Sequence, residues 1–189
     1  MRHLTTNVLE NNNVTSIVLV GPPASGKSTV RSLFSDYDVI GGDLEDYHEN
    51  GELTEGWTTP IVSLISGANN SDRPIVCIEG AITETEVEFI SEKSNHTLVI
   101  RVDVTDDGDR VKRHVERELS ATDDEIISEE KKAQIQMESY QRCYNELPYP
   151  EHDVSILNED STTTKELSRR CGRLVSLLDD DQSIHIPGE

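Results

Sequence analysis

Cationic side chains are scarce in this sequence: 17 Lys plus Arg stand against 37 Asp plus Glu, giving a formal net charge of −20. Proteins grip duplex nucleic acid and anionic membranes by neutralising phosphates, so sequence-independent binding to either is excluded unless a local basic patch is built. Cysteine is nearly absent. Cys77, Cys143 and Cys171 lie far apart with no C-x-x-C pair, which excludes a disulfide framework and leaves no zinc spacing. They are expected to be reduced thiols, two of them in the core. Long apolar runs are missing too, and none approaches the roughly 18 residues that a membrane span requires. The opening M-R-H-L-T-T-N-V-L-E-N-N-N holds no signal-peptide core. These absences predict a cytoplasmic location. No N-K-x-D stretch occurs, which argues against a guanine-specific switch.

What is abundant is acid. Only six of the cations are lysines, and this acid-rich, lysine-poor balance resembles proteins of salt-accumulating, halophilic cytoplasm, where ions screen self-repulsion. The 189 residues, 34% of them hydrophobic, suffice for one core. A single domain over residues 14–180 is expected, between polar, flexible tails at 1–13 and 181–189. Short apolar runs at Ser16–Val20, Asp38–Ile40, Ile75–Ile78, Thr97–Val102 and Val154–Leu157 read as strands. They alternate with helical patterns at Lys27–Phe34, Pro60–Ser66, Glu84–Glu92, Asp106–Leu119, Glu125–Asn145 and Thr164–Leu178. The alternation predicts an α/β fold, a five-stranded parallel sheet covered by helices on both faces in three α/β/α layers.

The most informative stretch is V-G-P-P-A-S-G-K-S-T, residues 20–29. Gly21, Gly26, Lys27 and Ser28 match G-x-x-x-x-G-K-[ST] between a strand and a helix, where the mechanism of a phosphate-binding P-loop requires it. At average composition the four positions would coincide by chance in roughly 1% of chains this long. Backbone N–H groups from Ala24, Ser25 and Gly26 through Thr29 are expected to converge on a polyphosphate at the helix N-terminus. Lys27 would neutralise charge between the β- and γ-phosphates, Ser28 would ligate Mg2+, and Thr29 would touch the α-phosphate. The expected nucleotide is ATP.

The stretch Y-D-V-I-G-G-D-L-E-D-Y-H delivers Asp43 to the C-terminal end of the second strand, where open parallel sheets bind ligands. A carboxylate there can accept a proton from an attacking hydroxyl or orient a magnesium-bound water. Glu45 and Asp46 are alternatives. With the P-loop, this arrangement resembles the P-loop small-molecule kinases, the group of nucleoside monophosphate, dephospho-coenzyme A, shikimate and gluconate kinases. The resemblance spans roughly residues 14–178 and implies that Asp43 faces the phosphate acceptor. The polar segment E-N-G-E-L-T-E-G-W-T-T-P then reads either as an acceptor flap presenting Trp57 or as a loop anchored to the core by it. Glu79, at the end of P-I-V-C-I-E-G, is a candidate to hold a water of the magnesium shell, although the family more often has Asp or a glycine-rich turn there.

Arg110, Arg113 and Arg117 fall on one helical face in an otherwise acidic chain, and a planar guanidinium suits developing phosphoryl charge. The resembling kinases carry an R-x-x-x-R helix leading into a lid. That implies roles for Arg113 and Arg117 and a short lid at about 118–128. The resemblance also lays the loop Asn158–Ser161 against the ATP base. His48, His114 and His152 lack partner spacing and are expected on surfaces or loops, and Tyr140, Tyr144 and Tyr149 as packing residues. The expected activity is transfer of the γ-phosphoryl group of ATP to a small acceptor, a nucleotide or nucleotide-like molecule, by a monomer or homodimer. G-D-L followed by His, and G-E-L-T, leave a gluconate-type sugar-acid kinase open. A non-kinase, ATP-binding regulatory protein is the alternative from another class.

Overall fold

The structure, a computed structural model, describes residues 13–44, 47–49, 52–80, 83–122, 127–144, 149–159 and 161–183. Glu45 and Asp46, the centre of the expected lid (123–126), and nearly all of both expected tails lie outside the described residues.

The chain runs β1 (Thr15–Val20), α1 (Lys27–Ser35), β2 (Ile40–Asp43), β3 (His48–Glu49), β4 (Glu52–Leu53), α2 (Thr58–Ala68), β5 (Ile75–Glu79) and α3 (Glu84–Lys93). It continues through β6 (His96–Asp103), α4 (Asp107–Ser120), α5 (Glu129–Tyr144), β7 (Val154–Leu157) and α6 (Thr164–Ser183). Five strands form one parallel sheet in the order β2-β5-β1-β6-β7. The P-loop strand β1 is central, and every residue of it is buried, as expected for a strand covered on both faces.

Strand alternation sorts the core into two layers. Ile17 and Leu19 point with Ile100 and Val102 toward α1 and α6, meeting Val30, Phe34, Leu167 and Cys171. Val18 and Val20 point the other way with Val76 and Ile78, meeting Ile61 and Ile65 of α2 and Ile90 of α3. Gly42 of β2 lets α2 approach, because a Cβ there would stand 2.7 Å from Leu64 Cδ2. All three cysteines are free and buried, where two in the core were expected. Burial pushes the Cys77 thiol well up and the Cys171 thiol to about 11, so both stay protonated and unreactive near neutrality.

Several boundaries differ from the sequence reading. The second strand starts at Ile40, because Asp38 turns the chain with φ +60° and its N–H donates to Ser35 O. The segment after Asp43 contains a small antiparallel hairpin, pairing His48 with Leu53 and Glu49 with Glu52. Helix α5 begins at Glu129, after Ser128 Oγ accepts from the Lys131 N–H at 3.2 Å. Helix α6 runs to Ser183, so residues 181–183 extend the helix rather than the tail. His114 is 3% exposed and hydrogen-bonded to Ser139 Oγ at 3.0 Å, tying α4 to α5; no spacing signal marks such a packed imidazole. Tyr140, expected to pack, is exposed.

Candidate active site

The loop between β1 and α1 is shaped by positions that exclude ordinary side chains. Gly21 has φ +136°, and a Cβ there would lie 2.1 Å from Val102 O. Gly26 caps α1 with φ 92°, and its Cβ would meet Asn158 Nδ2 at 2.0 Å. Ala24 also lies in the left-handed region, at φ 59°. Ser25 N–H donates to Pro22 O at 3.3 Å, and the helical ladder begins with Val30 N–H to Gly26 O at 3.0 Å. The first-turn N–H groups of a helix have no partner within it. Helix α1 has no side-chain cap and no acid in its first turn, so Lys27, Ser28 and Thr29 present backbone donors and a positive helix end at the loop mouth.

Lys27 lies across this mouth, its Nζ donating to Gly21 O at 2.9 Å and Pro22 O at 3.0 Å. Ser25 is fully buried, and its Oγ has no hydrogen-bond partner among the described residues. The Ser25 carbonyl accepts from Asn158 Nδ2 at 2.9 Å. Asn158, which the sequence reading assigned to an adenine loop, therefore has its buried side chain braced behind the phosphate cradle.

Asp43 and Glu79 are register partners at the C-terminal ends of β2 and β5, two strands and one strand over from the P-loop strand β1. Leu44 N–H donates to Glu79 O at 2.8 Å and closes the edge. Arg31, one turn along α1 from Lys27, joins the two acids, with Nη1 at 3.4 Å from Asp43 Oδ2 and Nε at 3.0 Å from Glu79 Oε1. Glu79 is 3% exposed and Asp43 41%. Burial pushes the Glu79 carboxyl up, Arg31 pulls it down, the Asp43 charge raises it, and the Ser28 hydroxyl and Lys27 lower it; the net direction is up. Sequence reading missed Arg31. Its signal was present, since it sits at i+4 from Lys27 and is the only Lys or Arg between Lys27 and Arg73.

The arginine helix stands across the sheet, after β6. Arg113 Nη2 donates to Asn158 O at 3.0 Å, which sets it beside the P-loop. Arg117 is half-exposed, paired with Glu118 at 3.1 Å and 3.4 Å from His114 Nε2. Arg110 is buried against Asp107. The structure thus brings Arg113, Asn158 and the P-loop together on one side, and Asp43, Arg31 and Glu79 on the other. Trp57 packs edge-on to Phe89, ring centroids 5.1 Å apart, against the second core layer; of its two readings, the anchor is the one observed.

Among the described residues no cluster of three or more His, Cys, Asp or Glu side chains could hold a metal. A hydroxyl and carboxylates nevertheless meet beside the P-loop, in Ser28, Glu79 and Asp43, and an all-oxygen donor set of this kind suits a hard cation such as Mg2+ that keeps its own waters.

No family model matches the chain, and no curated protein matches it in sequence. Solved structures do match in shape. A provisionally assigned kinase of Chloroflexus aurantiacus superposes with a TM-score of 0.55 at 14% identity, covering 89% of this chain and 99% of that one. A gluconokinase of Sinorhizobium meliloti gives 0.50 at 15% identity, over 94% and 100% of the two chains. An uncharacterised protein of Eubacterium ventriosum gives 0.50 at 13%, over 88% and 99%. At such identities the likeness is one of fold, and with the glycine-built cradle at the end of β1 it makes this chain a P-loop α/β protein with a five-stranded parallel sheet.

Proposed function

We propose that the protein is a kinase that moves the γ-phosphoryl group of ATP to a hydroxyl of a small molecule. The observation that carries this reading is the meeting, at the C-terminal ends of three neighbouring strands, of an uncapped P-loop helix and an acid pair held by Arg31. Nucleotide and magnesium binding account for the helix and for Glu79; the second, more exposed acid, Asp43, is the one that an acceptor hydroxyl would use.

ATP would enter with its phosphates on the N–H groups of residues 24–29, and Lys27 would leave the carbonyls of Gly21 and Pro22 for the β- and γ-phosphates. Mg2+ would be held by the Ser28 hydroxyl and, through water, by Glu79, supplying neutralisation of phosphate charge. Asp43, the more exposed acid, would accept the proton of the acceptor hydroxyl as its oxygen attacks the γ-phosphorus. The leaving oxygen remains on ADP. Arg113 and Arg117 would face the charge that spreads over the transferred group, on the opposite side from Asp43.

On this reading the arginine helix and the Asn158 loop, from which a nucleotide-like acceptor was expected, bear on the nucleotide donor instead, because both stand beside the ATP cradle. The activity would be cytoplasmic and would need neither duplex nucleic acid nor membrane; no helix among the described residues is long and apolar enough to cross a membrane. The test is ADP release from magnesium-ATP over a panel of nucleoside monophosphates, dephospho-coenzyme A, gluconate and uncharged alcohols, beside Lys27→Ala. Acceptor-dependent release lost in the variant supports the kinase. ATP binding without stimulation by any acceptor, at high or low salt, favours the regulatory alternative.

A further inference from the structure

From the charges around Asp43 we infer that the acceptor is a hydroxyl compound carrying no phosphate or carboxylate of its own, a neutral polyol or an amino alcohol. This rests on the kinase reading and narrows it. An anionic group on a small acceptor must be met by a cation or by free N–H groups at a helix end, and among the described residues the edge of the fold that holds Asp43 offers no Lys or Arg besides Arg31 and no helix start left open as that of α1 is.

Cations come first. From Leu44 through Asp72 the chain, which supplies the hairpin and all of α2, contains no Lys or Arg. The next, Arg73, precedes β5 at the opposite end of the sheet and donates to Tyr37 O at 2.7 Å. Arg31 does reach the site, but it lies between two carboxylates, at 3.4 Å from Asp43 and 3.0 Å from Glu79. Its charge is matched within the protein.

Helix ends come second. At the start of α2 the Trp57 N–H donates to Thr54 O and the Thr59 N–H to Gly56 O, while Pro60 has no N–H to give. At the start of α3, which follows β5 and opens on the same edge, the protein supplies its own anion. Glu86, fully buried, accepts from Thr83 N–H at 2.5 Å, and Glu84 shares the first turn. The contrast with α1, whose first turn carries no acid, divides the molecule into a donor side built for phosphate and an acceptor side that repels it.

The test uses a small-molecule cell extract separated by ion exchange into anionic, neutral and cationic fractions. It also uses matched compounds differing by one acidic group: glucose and gluconate, adenosine and its 5′-monophosphate, ethanolamine and serine. Each is incubated with the full-length protein and magnesium-ATP labelled in the γ-phosphate, and phosphorylated products are identified by mass. Transfer into the neutral or cationic fraction, faster by about tenfold or more than into the anionic one, is expected, because unmatched like charges brought together repel. A product formed from a phosphate- or carboxylate-bearing acceptor at comparable rate overturns the inference and leaves the kinase standing. Transfer to no fraction, with ATP still bound, overturns both.

Discussion

At the scale of single residues, Asp43 and Glu79 are register partners that differ in burial, and the proposed function gives them different duties on that ground. Asp43 is 41% exposed and reachable by an acceptor, so Asp43→Asn is expected to lower kcat by about 10²–10⁴-fold, the usual contribution of a proton-accepting group, with ATP affinity little changed. Steady-state kinetics beside an ATP titration check this; equal loss in both would make Asp43 a binding residue instead. Glu79 is enclosed, and its carboxyl titrates above the ordinary value of 4.5, chiefly because burial disfavours its charge. A group raised in the folded state contributes stability that is present below its unfolded pKa and is lost as pH rises through its folded one. Glu79→Gln should therefore gain stability relative to the parent as pH climbs from about 4.5, read as the difference between two denaturant midpoints at each pH. A difference that stays flat would mean that Arg31 compensates the buried charge fully.

Among elements, the P-loop and the β7–α6 loop form one unit. Asn158→Ala leaves the Ser25 carbonyl buried without its donor, which costs about 1–3 kcal/mol, and it should weaken ATP binding while sparing Arg113, which holds the Asn158 backbone oxygen. Gly26→Ala combines a left-handed φ of 92° with a Cβ placed 2.0 Å from the same amide. Backbone strain alone makes it worse by about 1–3 kcal/mol, so adding Asn158→Ala should not rescue it; thermal melts of the two single variants and the double variant decide. Legibility in the sequence follows the same division. Four of the five sheet strands and the P-loop could be read because their signals are local, unbroken apolar runs and glycines where φ must be positive, whereas β2, I-G-G-D, shares only Ile40 with the expected Asp38–Ile40 because it carries no such run. Val154–Leu157 was placed to the residue. Arg31 carried a local signal at i+4 from Lys27, whereas the brace by Asn158 could not be read, since Ser25 and Asn158 stand 133 residues apart and meet only through sheet order. His114 illustrates the same limit, since its burial depends on α5 packing beside α4.

For the whole molecule the dominating quantity is the net charge of −20. Self-repulsion of this size opposes the compact state, and the exposed ion pairs Glu129–Lys132 and Glu166–Arg170 contribute little against it. Salt acts on both terms with opposite sign. Raising KCl from about 0.1 M to 1 M shortens the Debye length from about 10 Å to 3 Å, weakening attractive pairs and repulsion alike, so the sign of the change in melting temperature tells which dominates. A rise is expected, because acids outnumber cations by more than two to one. Trp57, the only tryptophan, packed edge-on to Phe89, supplies the fluorescence readout. A stability that climbs through molar KCl would mark the acid excess as suited to a salt-rich interior. A fall would mean that ion pairs outweigh self-repulsion, and would leave the acceptor side, with its lack of cations, as the place where the composition bears on function.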